Sequence, residues 1–300
     1  MALSSAWPAR VLKDDAMDVM AQSNEPTGGV PAGGQVAAVA PAASEPLLRL
    51  RGISKHFGAV QALYGVDLDL PKGLVTALCG DNGAGKSVLT KSIAGIHAVD
   101  EGEIFWEGRQ VHIGSPKDSA ALGIETVYQD LALADNLDIV QNMFLGRERV
   151  TRALLDEDSM ERAAAETLAS LHVTTVRSIR QPVATLSGGQ RQAVAVAKAV
   201  MWNSKLVMLD EPTAALGVAQ TRMVLDLILR LKDHGLAVMV ISHNLNDVFE
   251  VADRIAVLRL GRMVAQDALS AFDRQSVVDF MTTGASSRDV PGSGSSHERD

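Results

Sequence analysis

The chain reads as an α/β protein built on a largely parallel sheet, and three observations carry that prediction. Short aliphatic runs alternate with stretches of helical periodicity along most of its length. One run, Leu74 to Cys79, leads directly into the glycine-rich turn Gly80-Asp81-Asn82-Gly83-Ala84-Gly85 and then a helical pattern. A second, Leu206-Val207-Met208-Leu209, ends in the carboxylates Asp210 and Glu211, at the strand end where open α/β sheets hold ligands.

Residues 1–46 are rich in Ala, Gly, Pro and Ser, and 284–300 read likewise; both are expected to be disordered extensions of a domain spanning 47–283. Leu47 to Ile53 and Ala62 to Leu70 alternate like exposed edge strands, and Leu74 to Cys79 is apolar throughout, as a buried strand should be. Lys86 to Ile96 suits a helix. Glu103 to Trp106 and Gln110 to Ile113 predict a hairpin around Glu107-Gly108, hence an antiparallel layer beside the main sheet. From Ala120 to Val183 the pattern changes. Leu154 to Leu171 places apolar residues at helical spacing with Asp156, Glu157, Asp158, Glu161 and Arg162 on the other faces, predicting a helical subdomain over about 130–185. Leu206 to Leu209, Ala237 to Ile241 and Ile255 to Leu258 then resume the strand–helix alternation.

With 300 residues, 47% of them hydrophobic, there is ample material for a packed core. A net charge of −8 and a pI of about 5.4 argue against holding nucleic acid by bulk electrostatics. The single cysteine, Cys79, excludes an internal disulfide and reads as core packing. No run approaches the roughly 18 apolar residues of a membrane span; Ala193 to Trp202 is short and carries Lys198. The amino end has Arg10 and Lys13 but no apolar stretch of the secretory kind, so a cytoplasmic address is expected.

The run Gly80 to Ser87 fits the phosphate-binding Walker A pattern, and it stands between strand and helix as the chemistry requires. Backbone N–H groups wrap phosphates, the helix amino terminus adds a favourable field, Lys86 reaches the β and γ phosphates, and Ser87 offers its hydroxyl to Mg²⁺, with Val88 next along the helix. Asp210 is placed to hold the same metal. Glu211 is then the natural general base for an attacking water. A second glycine-rich stretch, Leu186-Ser187-Gly188-Gly189-Gln190, repeats the grammar of an anion cradle ahead of another helical pattern.

These motifs, in this order, resemble the nucleotide-binding subunit of an ABC transporter over residues 47 to about 283. The resemblance implies a P-loop NTPase with a RecA-like parallel core, an antiparallel β layer and a helical subdomain ending at the start of the signature helix. Leu186 to Gln190 is identical to the family signature. Gln129, in Val127-Tyr128-Gln129-Asp130, resembles the Q-loop glutamine, a metal and catalytic residue; His243, in Ile241-Ser242-His243-Asn244, is similar to the switch histidine. Phe57 matches the position whose ring stacks on adenine, although core packing fits Phe57 by itself equally well. The implied site is shared. Ser187, Gly188, Gly189 and Gln190 would serve ATP held by another copy, so two chains would pack head to tail around two nucleotides.

One departure stands out: after Glu211-Pro212-Thr213 the family often continues Ser-Ala-Leu-Asp, where this chain has Ala214-Ala215-Leu216-Gly217. The stretches from Glu125 to Leu133, Asn142 to Gly146 and Glu211 to Gly217 are similar to ATPases of bacterial fructose, ribose and xylose importers. That likeness implies import of a monosaccharide, with a membrane permease and an extracytoplasmic sugar-binding protein as partners and a peripheral place on the cytoplasmic face of the membrane. The alternative is a soluble ABC ATPase acting on ribosomes or nucleic acid.

Overall fold

A computed structural model describes residues 45–173 and 175–285. The extensions expected at 1–46 and 284–300 therefore lie almost wholly outside the described residues.

The chain opens with two long strands, β1 (Leu48–Phe57) and β2 (Val60–Leu70), joined by the tight turn at Gly58. The five-residue strand β3 (Val75–Cys79) is buried at every position and runs into α1 (Lys86–Ile93). A hairpin of β4 (Glu101–Trp106) and β5 (Arg109–Val111) turns at Glu107-Gly108 as the sequence predicts, followed by α2 (Pro116–Leu122) and β6 (Ile124–Val127). Next come α3 (Ile139–Phe144), the small hairpin β7 (Val150–Thr151) and β8 (Leu154–Leu155), and α4 (Glu157–Ser170). The alternation then resumes with α5 (Gly188–Val200), β9 (Leu206–Asp210), α6 (Val218–Asp233) and β10 (Ala237–Ile241). It closes with α7 (Leu245–Val251), β11 (Arg254–Arg259), β12 (Arg262–Ala268) and α8 (Arg274–Thr283).

Two sheets organise these elements. The main one has the order β12-β11-β3-β10-β9-β6, parallel except for β12, which pairs antiparallel with β11. The other is antiparallel in the order β2-β1-β4-β5. Leu48, Leu50, Ile53, Leu63, Val66 and Leu68 of β1 and β2 join Leu89 and Ile93 of α1, and Met208 and Met239 of the main sheet, in one buried cluster. Packing between the layers thus fixes α1 in place. On the opposite face α5 and α6 cover Val207, Leu209, Val238 and Val240, and the same cluster runs on into α3 and α4.

Several expectations need correction. β1 is not an edge strand, because it lies between β2 and β4; alternation reports one buried and one wetter face, which an interior strand can also have. α1 stops at Ile93 rather than Ile96, since Gly95 takes φ +73° and turns the chain away. The middle segment is not helical from Ala120: β6 belongs to the main sheet beside β9. Nor does its long helix begin at Leu154; Leu154 and Leu155 are exposed hairpin residues, and α4 starts behind the Asp156 cap.

A buried polar residue shapes the segment after β6. Asn142 of α3 is fully enclosed; its Oδ1 accepts from the Ala134 N–H at 2.7 Å, and its Nδ2 donates to the carbonyls of Ala134, Leu137 and Asp138 at 3.0, 3.2 and 3.0 Å. One side chain thereby holds the loop leading from Gln129 into α3. Asn142→Leu keeps the shape but orphans that buried backbone, so urea unfolding should reveal a loss of about 2–4 kcal/mol.

Candidate nucleotide site

The chemistry-bearing residues collect at the carboxyl ends of the parallel strands. β3 ends at Cys79 and gives way to the glycine loop, β9 ends at Asp210, β10 leads to Ser242 and His243, and β6 leads to Tyr128 and Gln129. Parallel register makes them neighbours: Ile241 pairs with Asp210 and with Leu78. A cleft of about 500 Å³ opens there, lined by Asp81, Asn82, Gly83, Ala84, Gly85, Lys86, Ser87, Val88, Gln129, Asp210 and Glu211. Val60, Gln61, Ala62, Tyr64, Leu260 and Gly261 complete its walls.

The loop's curvature depends on its first glycine. A Cβ at Gly80 would fall 2.3 Å from the Leu258 carbonyl oxygen of β11, a contact that no side chain tolerates. The Ala84 N–H closes the turn on the Asp81 carbonyl at 3.1 Å, and α1 begins behind Gly85 in the left-handed region with no side-chain cap. Its first amides are therefore available to an anion. Lys86, only 9% exposed, donates from Nζ to the Gly80 carbonyl at 2.5 Å and the Asp81 carbonyl at 3.1 Å. A positive charge thus sits under the loop, where phosphate oxygens would meet it. Cys79 lies beneath in the core, its thiol pushed up to about 12 by burial.

Opposite the loop stand the two carboxylates. Burial, reinforced by the neighbouring Glu211, holds the Asp210 carboxyl above its ordinary range, against the pull of Lys86 and Lys91. Burial likewise pushes the Tyr128 hydroxyl up. Glu211 adopts φ +48°, its N–H donates to the Ile241 carbonyl at 2.9 Å, and its Oε1 lies 2.8 Å from Nδ1 of the exposed His243. This left-handed kink turns Glu211 out of the strand direction and into the cleft, with the imidazole on its outer side. Thr213 donates to Asp247 of α7 at 2.6 Å, tying down the loop behind Glu211.

The remaining expected residues stand outside this cleft. Phe57 sits at the end of β1, paired with Val60 across the turn; its ring meets His97 edge-on at 5.1 Å and is not part of the lining. Ser187 caps α5: its Oγ accepts from the Gln190 N–H at 3.3 Å, while Gln190 Oε1 accepts from the Ser187 N–H at 2.9 Å and Gln190 Nε2 donates to the Thr175 carbonyl at 2.6 Å. Gly188 and Gly189 pack beside Leu216, Gln220 and Met223. The second cradle is thus a formed helix terminus that takes no part in the lining of its own chain's cleft. Leu260, Val60, Tyr64 and Asp247 carry no motif, and Thr213 stands in the Glu211 to Gly217 stretch without a role of its own. The one signal for Leu260 was an apolar residue in a turn, just before Gly261.

The profile of the ABC transporter family matches residues 63–214, half of the chain and both of its phosphate-handling segments. The chain belongs to the ABC transporter family. Over 247 residues it is 48% identical to the fructose import ATP-binding protein FrcA of Rhizobium meliloti, covering 80% of this chain and 95% of that one. It is 46% identical to the xylose/arabinose import ATP-binding protein XylG of Sulfolobus acidocaldarius, again over 80% and 95% of the two chains. Among solved structures, the ADP conformation of an ATP-binding cassette of an ABC transporter superposes with a TM-score of 0.69 at 27% identity, over 78% of this chain and 95% of that one. The architecture here is accordingly that of the ABC ATPase cassette.

The raised Asp210 carboxyl makes a statement about stability. The folded chain holds that proton more readily than the unfolded one, so stability falls as pH rises through the carboxylate range, and the full penalty is present at neutral pH. Asp210→Asn is expected to raise Tm at pH 7.5 by about 2–4 °C. Scanning calorimetry should show that gain fading as pH falls through the carboxylate range and vanishing only below about 3, where the wild-type carboxyl is protonated in both states.

Proposed function

We propose that the chain is the ATP-binding and ATP-hydrolysing subunit of an ABC importer, energising uptake of a monosaccharide through a partner permease. The observation that carries the chemistry is that the Lys86 loop and Glu211 line one cleft, with the His243 imidazole, outside that lining, 2.8 Å from the Glu211 carboxylate. The substrate class rests on the relatives, whose names are those of fructose and xylose/arabinose import proteins.

Each residue then has a task. The amides from Gly83 to Ser87 and the Lys86 ammonium bind the β and γ phosphates and neutralise charge that develops as the terminal phosphate leaves. Glu211 takes a proton from the attacking water, and His243 at 2.8 Å orients that carboxylate. The Ser87 hydroxyl, Gln129 amide oxygen and Asp210 carboxylate form an all-oxygen donor set on the cleft wall, suited to Mg²⁺ together with phosphate oxygens. Bound there, the metal would polarise the phosphates and shield their charge.

The signature completes the site from a second copy. Ser187, Gly188 and Gly189 form the amino end of α5, thirteen residues long, and none of them lines their own chain's cleft. Head-to-tail pairing brings that helix end to the partner's phosphates, and it supplies a favourable field for negative charge. In the assembly the permease receives the stroke near Gln129 and the helical segment, on the cytoplasmic face of the membrane, while a sugar-binding protein delivers the cargo outside. Phe57, exposed at the end of β1 and paired with the cleft residue Val60, is assigned to the adenine end.

Glu211→Gln removes the base and keeps shape and hydrogen bonding. Hydrolysis should fall by about a hundredfold or more while ATP is still retained. In cells lacking the subunit, ATP-driven uptake of one pentose or hexose should be lost, restored by the wild-type chain and not by Glu211→Gln. Uptake of every such sugar unchanged in the deleted strain would reject the assignment to sugar import.

A further inference from the structure

Two helices begin side by side, and the contact between their first turns constrains the signature. α5 starts with Gly188 and Gly189, and two successive glycines are a weak opening for a helix. Their positions are enforced by α6 and the turn before it. A Cβ at Gly188 would fall 2.9 Å from Leu216 Cδ2, and one at Gly189 would fall 2.6 Å from Met223 Cε and 3.1 Å from Gln220 Cβ. Gln220 is itself held, its Oε1 accepting from the Gly217 N–H at 3.3 Å. The side chain that covers Gly189 most closely is thus the flexible, unbranched one of Met223.

Met223 is steadied from a third segment. The Thr175 hydroxyl, in the stretch following α4, donates to Met223 Sδ at 3.8 Å, while the Thr175 carbonyl accepts from Gln190 Nε2 at 2.6 Å. One residue therefore ties the methionine to the cap of α5. Thr175, Ala193 and Met223 border a hollow of about 260 Å³. Room for the thioether to retreat lies beside it, so the tie to Thr175 decides where the methyl group rests.

We propose that Met223 is a positioning residue for the reaction: pressed on Gly189 and held by Thr175, it fixes the direction in which the first amides of α5 point, and so sets how well that helix end receives the phosphates of a second copy's nucleotide. This rests on the head-to-tail reading of the signature. Fixed dipoles stabilise only the charge they are aimed at, and a misplacement of about 1 Å costs up to about a hundredfold in rate. Met223 takes no part in the lining of its own chain's cleft, so ATP held by a single chain does not feel it.

The test is made in the Glu211→Gln chain, in which ATP is expected to stay intact, with Met223→Ala or Met223→Leu added. ATP binding is titrated by calorimetry at concentrations where the chain is monomeric, and ATP-dependent dimer formation is followed by sedimentation. Met223→Ala should leave the first unchanged and weaken the dimer about tenfold, whereas Met223→Leu, which keeps an apolar contact on Gly189, should restore the dimer to near its original strength. A Met223→Ala dimer as strong as the parent's, ATP binding by the single chain weakened in equal measure, or no recovery in Met223→Leu would overturn the proposal. Failure of the Glu211→Gln chain itself to dimerise with ATP would instead overturn the head-to-tail reading on which it rests.

Discussion

A buried ammonium bound to the backbone that encloses it is the constraint on which the rest of this molecule depends. Lys86 is satisfied by the carbonyls of Gly80 and Asp81, so the position of the charge and the curvature of the loop are one feature. The loop in turn needs a residue without a Cβ at position 80, because the Leu258 carbonyl oxygen of β11 presses against it. β11 is held there by parallel pairing with β3, and α1 is clamped by the antiparallel layer above it. Cationic charge in a site of reduced exposure attracts anions far more strongly than the same charge in open water. The fold positions that charge at the amino end of a helix, where both effects favour phosphate.

The second half of the chemistry follows from strand order. Because β10 lies between β3 and β9, the phosphate loop and the carboxylates Asp210 and Glu211 end at one edge of the sheet, separated by the strand that supplies His243. Glu211 leaves the ladder in a left-handed kink, which aims it across the cleft toward the loop's side rather than along the strand. The signature helix α5 is packed on the opposite face of the sheet, with its first turn closed by a reciprocal cap between Ser187 and Gln190. In the proposed dimer, rigidity at that cap matters because one helix end must meet a nucleotide held by another molecule. Gly217 caps nothing through a side chain and leaves Val218 almost fully exposed at the start of α6, so the usual acidic contact near this turn has no counterpart here.

The parts legible in the sequence were those written contiguously. The glycine loop, the apolar strand ending in Asp210-Glu211 and the hairpin at Glu107-Gly108 all depend on local backbone requirements, and each stands where it was expected. What escaped was set by distant partners. The period of β1 could not reveal that both its edges are paired, and four-residue β6, with Glu125 and Thr126 half-buried in its middle, has too little pattern to announce a strand of the main sheet. β12 is joined by pairing to β11 alone and is only partly buried, so its apolar signal is weak. Leu260 was missed for the same reason: its place in the cleft lining is set by Ala84 and Tyr64, far away in the chain, which hold the neighbouring Gly261.

In the proposed account the cleft holds and activates a nucleotide, and the amino end of α5, absent from that cleft's lining, completes the site of a second copy. The most direct measurement is ATP turnover per chain across a dilution series, with mass determined at every concentration. Specific activity that falls in proportion to the fraction of dimer is the predicted result. Turnover per chain that stays constant down to concentrations where the protein is wholly monomeric would contradict it.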